Sequence, residues 1–489
     1  MTRQVLLPPL FDLSLEPVLA PGDGLLDANA EFLGRLAGPT GLHTLSATFA
    51  RPQPGVEATE QATKALFVQA AKTIMDRERY DWGRLRAVGL ALRLAAETDP
   101  AIRLAVDDVE LVNGTTESGA DVVSAAARTP LFAPEADRAR AYASGARVHL
   151  LVETDQQLPA AAALAVALGP HRFVLCGRFA AAHQEALRTL APFAAAGFED
   201  WSPSWRLRRE WTPEGDGVRW VRDASEWSPG GPWAGWLAPE QAALLPAQAW
   251  RECQGVTLTV ARLTSWSAVT GASGARTDLE PVRRLAGDDR LAVELLVGSP
   301  GMDADATATT VRLLRSGPGP RLAGLSPFRL TSLARQRGPS HWDGVPLTRL
   351  PSPRHDLPRW DRFHGPGSLD DVDRQLTTST LTTELGAETD LYPGRLACCA
   401  LAQGIQSPTT WEPSATVVAA GGPGPDGRGP GSFVVNLRTG SAFRLHPRLA
   451  PVVQRLASGD ATVWQHLSET VRSKLSGQLV RAGAIRSAQ

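Results

Sequence analysis

The sequence predicts an α/β protein of two or three domains, on three observations. Between residues 147 and 198 short apolar runs alternate with helical segments, and a similar alternation returns between 256 and 325. Of its 489 residues, 43% are hydrophobic and 21% are charged, which is ordinary for a globular protein of more than one core. Strands that alternate with helices at this spacing favour parallel sheets with helical crossovers.

The first 200 residues contain most of the clear pattern. An apolar run at Val5–Leu7, followed by Pro8-Pro9, predicts a short buried strand. Apolar residues at helical spacing predict helices over 59–76 and 82–97. The alternating stretch then predicts, in order, a strand at Val148–Val152, a helix at Leu158–Leu168 with Pro159 in its first turn, a strand at Phe173–Cys176 and a helix at His183–Phe193.

A segment rich in tryptophan interrupts this pattern between residues 199 and 250. It holds eight of the fourteen Trp residues together with many Pro and Gly. We expect a long irregular connection whose gaps the indoles fill, and the alternative is a groove that stacks on a substrate.

The second half predicts another α/β unit and a small C-terminal domain. Strands are expected at 256–262, 291–297 and 321–325, and helices at 277–286 and 303–315, before a loop-like stretch at 334–375. Gly421–Gly431 is expected to be a flexible tether. Beyond it, strands at Phe433–Asn436 and Ser441–Leu445 and helices at about 447–457, 461–472 and 473–482 indicate a winged-helix-like unit.

The bulk properties exclude several classes of function. A net charge of −1 gives no basic field for nucleic acid or for an anionic membrane. The four cysteines form no disulfide framework, and no apolar stretch reaches the ~18–20 residues that span a bilayer. The expected location is the cytoplasm.

Motifs for common chemistry are missing. The nine His show no metal-binding spacing, so no metal site is expected, and the sequence has neither a P-loop nor a nucleophile elbow. Cys398 and Cys399 are adjacent, and neighbouring side chains diverge, so they are not expected to share a metal.

Three stretches resemble one family, the cobalamin-dependent radical S-adenosylmethionine (SAM) proteins that modify ribosomally made peptides. They occur in the family's order and loosely span residues 1–345. The stretches are Val109–Gly114 with Ser118–Ser124 and Pro130–Pro134; Thr154–Pro159 with Val174–Phe179; and Val293–Gly301.

The resemblance implies a Rossmann-like cobalamin-type domain over 1–200, the Trp-rich connection over 201–250, a parallel partial (β/α) barrel of the radical SAM type over 251–415, and a winged-helix-like peptide-recognition domain over 432–489. It would place any retained cobalamin at Asp155, Gln156, Gly177 and Arg178. One departure is decisive. The family holds a [4Fe–4S] cluster with Cys-x3-Cys-x2-Cys, and residues 200–240, where that motif would fall, contain no Cys. No cluster, no radical reaction and no catalytic residue are therefore carried over.

These observations favour a non-catalytic accessory or scaffold protein in peptide maturation, whose partners are an active radical SAM enzyme, a precursor peptide or both. The C-terminal unit is similar to domains that hold leader peptides, and its alternative is a plain structural cap. Two other hypotheses stay open: a cobalamin- or SAM-binding methyltransferase that works without a cluster, and an unrelated α/β enzyme.

Overall fold

The computed structural model describes residues 2–51, 55–77, 82–106, 108–143, 147–208, 217–316, 319–331, 341–350, 355–386 and 411–485, and the statements below concern these residues. The elements up to residue 198 are β1 (Gln4–Leu7), β2 (Leu15–Val18), β3 (Gly24–Asp27), α1 (Ala28–Ala37), α2 (Pro39–Phe49), α3 (Ala58–Met75), α4 (Trp82–Ala95), β4 (Ile102–Leu104), β5 (Val109–Leu111), α5 (Gly119–Arg128), α6 (Ala133–Tyr142), β6 (Val148–Leu151), α7 (Leu158–Leu168), β7 (Phe173–Cys176), α8 (Arg178–Ala182), α9 (Gln184–Thr189) and β8 (Gly197–Phe198).

A parallel sheet of five strands forms the centre of the N-terminal half. Its order is β3-β1-β6-β7-β8, and each neighbouring pair is parallel. Val5, Leu6 and Leu7 of β1 are fully buried, because helices cover one face of the sheet and a second sheet covers the other. The Rossmann-like parallel sheet expected from the sequence is confirmed.

The predicted helix over 183–193 differs from the structure. Only α9 falls within this range, and the shorter α8 precedes it; His183 between them has a φ of −120°, which is not helical. The imidazole stacks on Phe179 with ring centroids 4.2 Å apart, and its Nε2 lies 3.0 Å from the carbonyl of Pro358. These contacts hold His183 at the joint between the two helices.

The next part of the chain forms a mixed sheet. Its elements are β9 (Ser204–Leu207), β10 (Arg219–Val221), β11 (Trp233–Leu237), α10 (Pro239–Leu244), α11 (Ala247–Glu252), β12 (Cys253–Ser265), β13 (Ala268–Gly271), β14 (Arg276–Thr277), α12 (Glu280–Ala286), β15 (Leu291–Val297), α13 (Ala304–Ser316), β16 (Arg321–Pro327), β17 (Leu330–Thr331), β18 (His341–Trp342), β19 (Val345–Pro346), β20 (Thr348–Leu350), β21 (Trp360–His364) and α14 (Asp371–Gly386).

The mixed sheet runs β2-β9-β10-β11-β12-β15-β16, and β13 and β14 extend it from β12. The strands from β10 to β16 along this path are parallel, whereas β9 is antiparallel to both β2 and β10. Helices cover one face of the sheet, and part of the other face packs against the N-terminal sheet. The predicted strands and helices between 256 and 325 are confirmed, and the assignment to a partial barrel stays a prediction.

The Trp-rich segment is not an irregular connection, and that prediction is wrong. It supplies β9, β10 and β11 of the mixed sheet, and Trp205, Trp220, Trp233 and Trp250 are each at most 3% exposed. These strands are only three to five residues long, and apolar residues alternate clearly in β9 alone. The indoles therefore fill a regular core between layers, while the prolines and glycines lie mainly between the strands. Trp211 lies outside the described residues.

The stretch from 334 to 375 is also more regular than expected. Its described part contains the hairpin β18-β19 and the start of α14. It also contains strands β20 and β21, which form an antiparallel sheet with β17.

The C-terminal unit begins before the predicted tether. Strands β22 (Ala415–Ala420), β23 (Gly431–Asn436) and β24 (Ser441–Arg444) form an antiparallel sheet, followed by α15 (Ala450–Ala457), a 3-10 helix at Ala461–His466 and α16 (Glu469–Arg481). The predicted hairpin of β23 and β24 is confirmed, but only two of the three predicted helices are α-helices.

The predicted tether at Gly421–Gly431 is instead the loop that joins β22 to β23. Arg444 closes this loop: its guanidinium contacts Asp426 at 2.7 Å and 2.9 Å and donates to the carbonyl of Gly429 at 2.8 Å. The sheet also packs on the N-terminal half, because Phe433 and Val435 join the core that includes α3. The C-terminal unit is therefore packed against the N-terminal half.

None of the helices in the described ranges combines the length and hydropathy that a membrane span requires.

Candidate functional site

A large cleft lies where strands of both sheets end. Its volume is about 1100 Å³. Chain segments that follow β1, β6, β7 and β10 line it, together with side chains from β11, β15 and β16. In open α/β sheets ligands bind outside the carboxyl ends of the strands, so this cleft is the candidate site.

A network of two arginines and two glutamates forms one wall. Glu153, which follows β6 and is 8% exposed, accepts hydrogen bonds from Ser202 Oγ at 2.5 Å and from Arg222 Nη1 at 3.2 Å. Arg222 also reaches Glu226 at 3.4 Å, and Arg178 is ion-paired with the same carboxylate. Burial lowers the pKa of Arg178, and the nearby Arg222 cation adds to this effect. The network connects the N-terminal sheet to the 3-10 turn after β10.

Asp155 joins the turn after β6 to a distant segment. It is 2% exposed, accepts a hydrogen bond from Thr116 Oγ1 at 2.7 Å and is ion-paired with Arg359. The Arg359 guanidinium lies 5.0 Å from the centroid of the Trp360 ring. Both residues line the cleft, so this contact between segments 204 residues apart closes one side of it.

Gln157 explains why Asp155 points into the cleft. Its side-chain oxygen accepts hydrogen bonds from the backbone N–H groups of Glu153 at 2.7 Å and Thr154 at 3.2 Å. Its amide nitrogen donates to the carbonyls of Leu151 and Pro8. This fully buried glutamine fixes the turn, and it was not among the residues singled out from the sequence.

A buried glutamate on β15 faces the same cleft. Glu294 is 2% exposed and accepts a hydrogen bond from Trp236 Nε1 at 2.9 Å as well as one from Ser326 Oγ. Burial of a carboxylate is costly unless hydrogen bonds compensate for lost water. A single Glu inside the apolar run Leu291–Val297 is the sequence feature that would have identified it.

The structure brings together three of the four residues predicted for cobalamin. Asp155, Gln156 and Arg178 line the cleft, whereas Gly177 is not among its lining residues. Gly177 has a φ of +101°, and a Cβ there would lie 2.4 Å from the carbonyl oxygen of Val152. Contact between neighbouring strands therefore accounts for the glycine without a ligand.

The three residues at the cleft that were predicted to contact cobalamin are bonded to other groups of the protein. Gln156 Nε2 donates to Asp108 at 3.0 Å. Asp155 is ion-paired with Arg359, and Arg178 is ion-paired with Glu226. Volume and position suit a large ligand. Each of the three predicted contact residues, however, is engaged by the protein itself, so the residues present do not fit the group specifically.

The described cysteines are far from reactive. Cys176 and Cys253 are fully buried in different hydrophobic clusters. Burial raises the pKa of both thiols, that of Cys253 to about 12, so both are protonated at neutral pH. Cys398 and Cys399 lie outside the described residues.

Within the described ranges no three His, Cys, Asp or Glu side chains are grouped as a metal ion would require. Neither a scan against protein-family models nor searches of curated proteins and of solved structures find a match to this chain.

Proposed function

We propose that this chain is a non-catalytic scaffold protein that binds a precursor peptide, an active radical SAM enzyme or both during maturation of a ribosomally made peptide. The observation that carries the proposal is the C-terminal sheet, whose edge strand β24 is half-exposed while the sheet itself is anchored on the N-terminal half. An extended peptide binds such an edge as an added strand.

The ladder between β23 and β24 indicates which groups a peptide would meet. The N–H of Leu445 donates to the carbonyl of Ser432 at 2.8 Å, toward β23. Backbone N–H groups alternate in direction along a strand, so those of Ala442 and Arg444 point away from the sheet. They are donors for a peptide carbonyl.

Charge favours an acidic peptide. Residues 411–485 contain eight Lys or Arg and four Asp or Glu, a net charge of +4 in a chain whose total is −1. Arg448, four residues after β24, is exposed. A positive field around an edge strand steers an acidic segment toward it.

The anchor on the N-terminal half supports presentation of the peptide. Arg77, two residues after α3, donates to the carbonyls of Pro413 and Ala415, each at 2.9 Å. Val418, Phe433 and Val435 are buried in the core they share with α3. The edge strand is thus held at a constant position relative to the cleft-bearing body.

The first experiment is affinity purification of the full chain from its native host. We expect an intact radical SAM enzyme, an acidic precursor peptide or both to copurify. Recovery of neither would overturn the proposal.

The second experiment tests β24 with the recovered peptide. Ala442→Pro removes an outward N–H and is expected to weaken binding at least tenfold, since a hydrogen bond and its geometry are lost. Ala442→Val is the matched control, because it keeps the N–H and adds similar bulk. Equal weakening by both variants would show that the β24 backbone is not the binding site.

The alternative is a cobalamin- or SAM-binding methyltransferase that uses the cleft. The position of the cleft at the strand ends favours it, while the ion-paired lining residues give it less support. A corrinoid spectrum that persists on the protein after incubation with hydroxocobalamin and gel filtration would reverse this order.

A further inference from the structure

A second, smaller pocket lies next to the cleft. Its volume is about 210 Å³, and Trp360 lines both cavities. This space is large enough for several water molecules and is smaller than the usual sites for drug-sized ligands. It suits a small ion or one functional group of a larger ligand.

Most charged groups around the pocket are paired within the protein. Asp371 accepts hydrogen bonds from Arg362, at 2.9 Å, and from Arg374. His355 Nδ1 lies 2.8 Å from Glu117 Oε2, and Arg349 lies 3.3 Å from Asp361. These contacts leave the carboxylates engaged.

Arg329 is different. Its guanidinium lies 3.8 Å from the centroid of the Trp360 ring, and in the described part of the chain it makes neither a hydrogen bond nor an ion pair. A guanidinium over an aromatic face keeps the N–H donors in its own plane available to a further partner. Arg329 is half-buried, so water solvates its guanidinium only in part.

The electrostatics agree with a missing partner. Burial lowers the pKa of Arg329, and the neighbouring Arg359 cation lowers it further. The carboxylates of Glu117, Asp108 and Asp371 act in the opposite direction without contacting it. An anion in the pocket would compensate this desolvated charge.

We propose that the pocket beside Trp360 binds an oxyanion, a carboxylate or a phosphate, through the in-plane donors of Arg329. Both anions match the guanidinium fork and accept two parallel hydrogen bonds from it. This inference rests on Arg329 and Trp360 and does not depend on the proposed peptide binding at β24.

The test uses the full chain and two probes, inorganic phosphate and acetate, titrated at constant ionic strength with chloride as the compensating anion. Binding is followed by calorimetry and by Trp fluorescence. We expect saturable binding of at least one probe and a change in emission that Trp360→Phe abolishes. Tighter binding of phosphate would point to a phosphorylated ligand, and tighter binding of acetate to a carboxylate.

Arg329→Gln is expected to weaken binding at least tenfold, and Arg329→Lys to weaken it less, because lysine keeps the charge but loses the fork. Arg251→Gln is the matched control, since it removes the same charge from an exposed arginine elsewhere. Without the probe, Arg329→Gln should melt at the same or a higher temperature than the parent chain.

The proposal is overturned if neither probe binds saturably, or if Arg329→Gln binds as tightly as the parent chain. A lower melting temperature for both Arg329 variants, with unchanged binding by the folded fraction, would show that Arg329 has a structural role instead.

Discussion

Replacement of Asp155 by Ala should destabilise the protein by about 3 kcal/mol, the low end of the range for breaking a buried ion pair. The Asp155 side chain is 3% exposed and that of Arg359 is 20% exposed. Without Asp155 the guanidinium loses its buried partner. It still reaches some water, lies 3.9 Å from Asp108 and remains over Trp360. These residual contacts place the expected loss below the upper part of the range.

A double-mutant cycle isolates the pair. Asp155→Ala, Arg359→Ala and the double variant are unfolded in urea and followed by Trp emission, and we expect a coupling energy of about 1.5–3 kcal/mol. The matched control is the cycle for Asp137 and Arg140, whose ion pair is 2.7 Å long with side chains 74% and 59% exposed. That pair should couple by less than about 1 kcal/mol. A coupling energy for Asp155 and Arg359 no larger than that of the exposed pair would refute the reasoning.

Three further predictions concern the C-terminal unit and the core. Val435→Ala removes a fully buried side chain between the C-terminal sheet and the helices of the N-terminal half and should cost about 2 kcal/mol in urea unfolding, whereas Val166→Ala, at a position 70% exposed, should change stability by less than about 0.5 kcal/mol; equal effects would contradict the packing. Arg444 lowers the pKa of Asp426 to about 2, so this ion pair stabilises the 421–431 loop above the ordinary carboxyl pKa, and the stabilisation is lost as the pH falls toward 2. Hydrogen exchange of the loop should show this transition, and Arg444→Ala should abolish the protection at neutral pH. Burial raises the pKa of Cys253 to about 12, so its thiol should resist iodoacetamide in the folded protein at mildly alkaline pH and react on unfolding; labelling of the native protein at the rate of a free thiol would contradict it.

The elements that the sequence predicted best are those with clear ends. Helix α7 occupies the predicted residues, with Pro159 in its first turn and Gly169 at its end at φ +87°. Strand β7 also matches, because four apolar residues precede Gly177 at the point where the chain turns. In both cases the pattern and the residues that end it are local.

The prediction for the Trp-rich segment was wrong because its strands lack clear local ends. Its strands are three to five residues long, and prolines and glycines separate them. Their partners are also remote: Leu15 of β2 is paired with Leu207 of β9. Nothing near either residue in the chain marks this pairing, which depends on burial of two complementary apolar faces.

The residues of the candidate site also fall into a predicted group and a group that the sequence did not indicate. Asp155 and Arg178 were predicted from the family resemblance, and they lie at the cleft because residues that follow parallel strands meet at one edge of a sheet. Arg222, Glu294 and Arg359, which complete the walls, come from segments that local patterns do not connect to the first two.

The sequence by itself determined that the N-terminal half forms a parallel sheet, that a hairpin follows residue 432 and that the cluster motif Cys-x3-Cys-x2-Cys is missing from residues 200–240. These properties follow from local periodicity and from the identity of residues. Only the tertiary structure decided that the Trp-rich segment belongs to a sheet, that the Gly-rich loop is closed by Arg444, and that Arg329 lies on Trp360 without an anionic partner in the described chain. Such contacts join residues far apart in the chain, and they are selected by packing and by the cost of burying charge.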